Sequence, residues 1–163
     1  MSTTTDTTGT IDLDAPPPDA SVALRAVYDV FRAINTRDLS CIDDVVTADF
    51  VDHGSPVPIP PGPAGYRQIL GFVTEVLQIR YTVEHIAEVG DSIFVRALAD
   101  GIGVASVHGP AAVGKRYRMR TLHQYRVEGD RLAEHWGVRD ELGALIQLGV
   151  TQPPALELQP QGR

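Results

Sequence analysis

Two places in the sequence hold side chains that could move protons. His123 lies in the run Arg116 to Val127, where Tyr117, Met119, Thr121, His123, Tyr125 and Val127 alternate with Arg116, Arg118, Arg120, Leu122, Gln124 and Arg126. Such alternation is the pattern of a strand with one face turned to a core. The histidine shares the face that carries Met119, Tyr125 and Val127. There it is either a structural histidine bonded to a neighbour or a pocket group, and an imidazole with an ordinary pKa near 6.5 suits acid–base work. The second place is Asp52-His53, just before a loop with five prolines between Gly54 and Pro63. A short extended piece would deliver this pair to a pocket mouth; the alternative is a solvated turn. Asp140 follows the last alternating run and is either the N-cap of a helix or a general base.

The residue facing His123 from the next strand depends on the turn at Glu128-Gly129-Asp130. A two-residue loop at Gly129-Asp130 sets Trp136 opposite His123. A three-residue loop with a bulge sets Gly137 there and turns His135 inward, because a slip of one residue exchanges the two faces of a strand. In that second register substrate is expected in the space left by the missing Gly137 side chain, since a glycine inside a strand often marks close approach of a ligand or another backbone.

Other chemistries lack their residues. Gly101-Ile102-Gly103 has no third glycine and no Lys-Ser/Thr pair at phosphate-loop spacing, and neither Gly-x-Ser-x-Gly nor His-Glu-x-x-His occurs. One cysteine, Cys41, excludes an internal disulfide and a cysteine-based zinc site, and its apolar helical setting suits a small core residue. The five histidines include no close helical pair, so no metal site is expected. The net charge of −7 argues against a nucleic-acid partner. No apolar run approaches the ~20 residues of a membrane span. The start, Met1 to Thr10, has neither the basic nor the apolar part of a secretory signal. A cytoplasmic location is expected.

The 163 residues, 43% hydrophobic and 21% charged, suit one globular domain. Residues 1–18, polar and ending in three prolines, read as a disordered leader, residues 19–150 as the domain, and residues 151–163 as a flexible tail. A first helix starts at Asp19 or Ser21 and buries Leu24, Val27, Tyr28, Phe31 and Ile34. A short second helix lines up Leu39, Ile42, Val45 and Val46. A third, after the proline loop, buries Tyr66, Ile69, Leu70, Val73, Val76 and Leu77. From Arg80 the period becomes two, with strands over Tyr81 to Val89, Ser92 to Ala99, Arg116 to Val127 and Arg131 to Val138. A last helix, Asp140 to Leu148, ends at Gly149. Helices first and antiparallel strands after them indicate an α+β fold with helices on one sheet face. The outer sheet face mixes Arg116, Arg118 and Arg120 with Leu122, and a half-apolar outer face calls for cover by a second subunit.

Several segments carry a family resemblance. Phe50-Val51-Asp52-His53, Gly90-Asp91, Gly114-Lys115, Tyr125 to Leu132, Glu134-His135-Trp136 and the closing Asp140 to Gly149 resemble the SnoaL-like polyketide cyclases, within the nuclear transport factor 2-like superfamily. The resemblance implies a cone of helices on a strongly curved, mostly antiparallel sheet around a deep apolar pocket. It also implies a homodimer, a hydrophobic small-molecule substrate and no metal or organic cofactor. Cyclases of this family close a ring by intramolecular aldol condensation with an acid–base Asp. His123 matches the histidine that lines their pocket, Asp52 matches a polar pocket position, and Asp140 matches a common carboxylate. The catalytic Asp falls on Gly137, so its role passes to His123, Asp52, His53 and His135. The expected pocket wall comprises His53, Tyr28, Phe31, Tyr66, Phe72, Met119, Tyr125, Trp136 and Gly137. Acid–base cyclisation or isomerisation of a polyketide-like intermediate is the expected function. The alternatives are an epoxide hydrolase or hydratase using two carboxylates, and a non-catalytic ligand-binding protein.

Overall fold

A computed structural model of the chain describes residues 9–153 and 155. Helix α1, Val22–Thr36, begins where the Ser21 hydroxyl accepts the Leu24 N–H, and it ends on Arg37 in the left-handed conformation. Its apolar stripe includes Ala23, Val27, Val30, Phe31 and Ile34, all buried. After α2 (Ile42–Val45) and strand β1 (Val46–Asp52), the proline loop leads into α3 (Pro63–Gly71). The helix expected to continue through Leu77 instead widens into one π turn, Phe72–Val76, which leaves Val76 exposed. Four strands follow: β2 (Arg80–Val89), β3 (Ser92–Ile102), β4 (Arg116–Glu128) and β5 (Arg131–Arg139). A single turn α4 (Ala105–His108) interrupts the loop before β4, and α5 (Glu141–Leu148) closes the fold.

The sheet is open and mixed, in the order β1-β5-β4-β3-β2. Only β1 breaks the antiparallel pattern, running parallel to β5. The edge of β2 is covered from two sides. Asn35 of α1 accepts the Tyr81 N–H and donates to the Tyr81 carbonyl, and Ile11 donates its N–H to the Val83 carbonyl. Ile11 and Leu13 also pack on the core. The described part of the expected leader, Gly9 to Pro18, is therefore partly docked; residues 1–8, and all of the tail after Pro153 except Ala155, lie outside the described residues. Among the described residues no helix is long and apolar enough to cross a membrane.

The β4–β5 register resolves the two alternatives by combining them. Glu128 pairs with Arg131, so the turn has the two residues Gly129-Asp130. Ala133 is then an extra residue between the Val127–Leu132 and Arg126–Glu134 pairs. A bulge of this kind shifts the phase of everything beyond it. His135 therefore pairs with Tyr125, Gly137 with His123, and Trp136 with Gln124 on the outer face.

Two glycines in and beside α3 test this packing. A Cβ on Gly65 would lie 1.7 Å from the Pro60 carbonyl oxygen, whereas one on Gly71 would meet nothing within 4 Å. In urea denaturation Gly65→Ala is expected to cost about 1–3 kcal/mol, the usual range for overpacking. Gly71→Ala is expected to gain about 0.4–1 kcal/mol through the unfolded chain.

Candidate active site

Three neighbouring strands bring the polar residues together. The parallel pairing of β1 with β5 sets Asp52 beside His135, and the antiparallel pairing of β5 with β4 sets His135 beside Tyr125 and Gly137 beside His123. Alternation then turns Asp52, His123, Tyr125, His135 and Arg139 to the face covered by α1 and α3. Phe31, Tyr66, Tyr81 and the apolar side chains of Ile34, Ile69, Leu70 and Val73 complete the walls.

The centre is a hydrogen-bonded chain. Asp52 Oδ1 lies 2.7 Å from His135 Nδ1, and His135 Nε2 lies 3.0 Å from His123 Nδ1. The Asp52 and His135 side chains are only 3% and 5% exposed. Burial pushes the Asp52 carboxyl up, but the hydrogen bond and charge of His135, the Gly54 N–H and the Arg139 charge outweigh it and hold Asp52 below its usual value. Burial, reinforced by the charges of His135 and Arg139, holds His123 well below the ordinary histidine range. It is therefore neutral at neutral pH.

With a neutral His135, these bonds fix the tautomers. An ionised Asp52 only accepts, so His135 must donate from Nδ1. When His135 is neutral its Nε2 is an acceptor, so His123 must donate from Nδ1. That leaves the His123 Nε2 lone pair at the end of the chain. This nitrogen is buried and has no hydrogen-bond partner among the described residues. Phe31 and Tyr81 stand edge-on to its ring, with centroids 5.3 Å and 5.4 Å away. Tyr125 stacks on His135 at 4.7 Å, and its hydroxyl meets that of Tyr66 at 3.1 Å. Burial raises the phenols of Tyr66, Tyr81 and Tyr125, which stay protonated. The free space here is about 20 Å³, room for one water, far smaller than the expected deep pocket, and its lining sets the polar chain against apolar side chains.

The model of the SnoaL-like polyketide cyclases matches residues 21–148. The chain belongs to this family. Among solved structures it is similar to IdmH from Streptomyces antibioticus, a proposed polyketide cyclase. The two are 26% identical with a TM-score of 0.66, over 78% of this chain and 98% of that one. It also resembles TsrD from Streptomyces laurentii at 21% identity and a TM-score of 0.71, over 83% of this chain and 100% of that one. AclR from Streptomyces galilaeus, a proposed hydroxylase, shares the fold at 18% identity and a TM-score of 0.66, over 82% and 89% of the two chains. No curated protein matches the sequence significantly. The SnoaL-like fold thus carries more than one proposed activity, and the chemistry has to be argued from the site.

Of the residues expected in the SnoaL-like site, Asp52, His123, His135, Tyr125, Tyr66 and Phe31 line the cavity. The others lie elsewhere. Asp140 is exposed and accepts the Gly143 N–H at 2.9 Å as the N-cap of α5. His53 turns to the outside, with Nε2 2.7 Å from Glu134 and its ring stacked on Trp136 at 4.7 Å. Trp136 is on that outer face because of the Ala133 bulge. Met119 is buried further along β4, and Tyr28 and Phe72 lie outside the cavity wall. Gly137 does face His123, but the space beside it is not open. The point where its Cβ would sit is 3.2 Å from both Arg139 Nη2 and His135 Cε1, so the protein's own side chains fill the room expected for substrate. Tyr81 and Arg139 were not singled out. The signal was their phase: Arg139 is two residues beyond Gly137, and Tyr81 opens an alternating run. Among the described residues no group of three or more His, Cys, Asp or Glu could hold a metal ion.

The depressed His123 pKa has a measurable consequence. The unfolded chain takes up this proton more readily than the folded one, so folding stability is complete above the ordinary histidine value and falls as pH drops below it. One such proton gives about 1.4 kcal/mol of loss between pH 7.5 and 5.5. Asp52 acts in the other sense, stabilising above the usual carboxylate range and losing that effect only at lower pH than this window. Urea denaturation at the two pH values should show His123→Gln losing about 1.4 kcal/mol less than the wild type; equal losses would count against a neutral buried His123.

Proposed function

We propose that this SnoaL-like protein catalyses proton transfer coupled to ring closure or isomerisation of a hydrophobic, polyketide-like ketone, with His123 as the base. The observation that carries this reading is the Asp52–His135–His123 chain ending on a partnerless Nε2. A desolvated nitrogen lone pair backed by a buried carboxylate favours proton transfer over the mere holding of a ligand. The hydrolase reading needs two carboxylates around a water, and Asp140 is committed to capping away from Asp52.

In the proposed reaction His123 Nε2 takes a proton from the carbon next to a carbonyl. The His123 Nδ1 proton passes to His135 Nε2, so the positive charge comes to rest beside the Asp52 carboxylate. The carbanion electrons then form the new carbon–carbon bond to a second carbonyl. The resulting alkoxide takes the proton from His123 Nε2, and the chain returns to its starting tautomers. Isomerisation differs only in returning the proton to another carbon. Substrate enters after the closed cavity opens toward an adjoining groove of about 480 Å³ formed by the proline loop, Val51 and His53, with Asp52 lining both spaces.

Turnover of a panel of enolisable polyketide-like ketones tests the reading. His123→Ala should lower kcat by about 10²–10⁴-fold, the usual contribution of a positioned acid–base group. Asp52→Asn should lower kcat with little change in KM. Full activity in His123→Ala would remove the proposal, and label from ¹⁸O-water in the product would favour hydrolysis instead.

We further propose a homodimer through the outer sheet face. Leu122 and Val138 are cross-strand partners there, 60% and 69% exposed, and Phe94 and Trp136 flank Gln124 in the next row. Light scattering should give about twice the 17.6 kDa subunit mass, and Val138→Lys should shift it toward the monomer. A wild-type monomer at micromolar concentration would refute the dimer.

A further inference from the structure

We propose that Arg139 is the group that holds the substrate's carbonyl oxygen while negative charge develops on it. The substrate class is then an enolisable ketone or thioester that presents its carbonyl to β5 and its α-hydrogen to β4. This rests on the proton-transfer reading above and adds the partner which that reading leaves unnamed.

Three observations carry it. First, Arg139 is a part-buried cation in the cavity wall, and no carboxylate among the described residues stands within ion-pairing distance of it. Its Nη1 donates to the Gly54 carbonyl at 3.1 Å, a neutral acceptor that orients the guanidinium without cancelling its charge. Arginines removed from water are ordinarily paired; Arg139 feels the Asp52 charge at a distance but has no carboxylate in contact, so its guanidinium is poised for an anion that arrives later. Second, Arg139 is on the same face as the base. It pairs with Thr121, one inward position along β4 from His123. Third, the missing side chain at Gly137 lets the guanidinium fold back along β5. Arg139 Nη2 and His135 Cε1 each lie 3.2 Å from the point where the Gly137 Cβ would be. A larger residue would push the cation away from the relay.

The electron flow needs such a group. When His123 Nε2 removes the α-proton, the C–H pair becomes a carbon–carbon π bond and the carbonyl π pair moves onto oxygen. A guanidinium N–H pair at that oxygen favours the enolate over the starting ketone, which is the differential stabilisation that accelerates a reaction. The proton goes to His123, the charge to the oxygen at Arg139, and no oxidant, reductant or further co-reactant is required.

Cyclohexane-1,3-dione, an enolate anion at neutral pH, serves as the probe, with cyclohexanone as its neutral counterpart in calorimetric titrations. Wild-type protein should bind the enolate at least about tenfold more tightly than the ketone, and Arg139→Gln should lose that preference. Arg139→Lys, which keeps the charge without the planar fork, should retain part of it. On a turned-over ketone, Arg139→Gln should lower kcat by about 10²–10³-fold, as loss of an oxyanion donor does. No enolate preference in the wild type, or an undiminished one in a folded Arg139→Gln, overturns the assignment. If Arg139→Gln fails to fold, Arg139→Lys decides, and an undiminished preference there overturns it equally. His123→Ala should keep the enolate preference while losing proton transfer. Failure of the base and failure of Arg139 are thus read from different variants.

Discussion

A carboxylate taken almost wholly out of water must be met by donors, and the position of Asp52 imposes that demand on everything around it. His135 answers with Nδ1, which leaves its other nitrogen for His123; the Gly54 N–H answers from the turn that starts the proline loop. The parallel pairing of β1 with β5 is what sets Asp52 level with His135 here. Removing either partner would leave a buried charge or an orphaned donor, so the chain is a structural unit as much as a chemical one.

Beside the Asp52–His135 pair the backbones of the proline loop and β5 come close together. A Cβ on Gly54 would be 2.9 Å from the Gly137 nitrogen, so the loop approaches β5 this closely because Gly54 lacks a side chain. With five prolines, the segment from Gly54 to Pro63 has few internal degrees of freedom. The Arg139 guanidinium is tied to the start of this stiff segment through the Gly54 carbonyl.

Much of the fold was legible because it follows from period and caps. The alternation around His123 gave β4 and its inward face, Ser21 gave the start of α1, and the change of period at Arg80 gave the α+β order. What escaped depends on tertiary detail. The Ala133 bulge has no local signature, since alanine fits a regular strand equally well, so Trp136 and His135 could not be assigned to faces. Ile11 sits in a polar stretch whose composition suggested disorder; one hydrogen bond to β2 and an apolar contact were enough to dock it. Asp52 and His135 were seen singly, but their partnership required the parallel strand pairing. Arg139 was passed over because a charged residue at a strand end ordinarily faces water.

The bulge also ties two surfaces to a single reading frame. Beyond Ala133, alternate residues of β5 serve the interior (His135, Gly137, Arg139) and the exterior (Trp136, Val138). Point substitutions can alter either set without disturbing the other. Loss or gain of one codon between Leu132 and His135 cannot: it would carry Trp136 and Val138 into the cavity and send the imidazole and guanidinium to the outside together. Polar interior and exposed face can therefore diverge by substitution along separate evolutionary paths, while single-residue insertions and deletions in this hairpin disturb both at once.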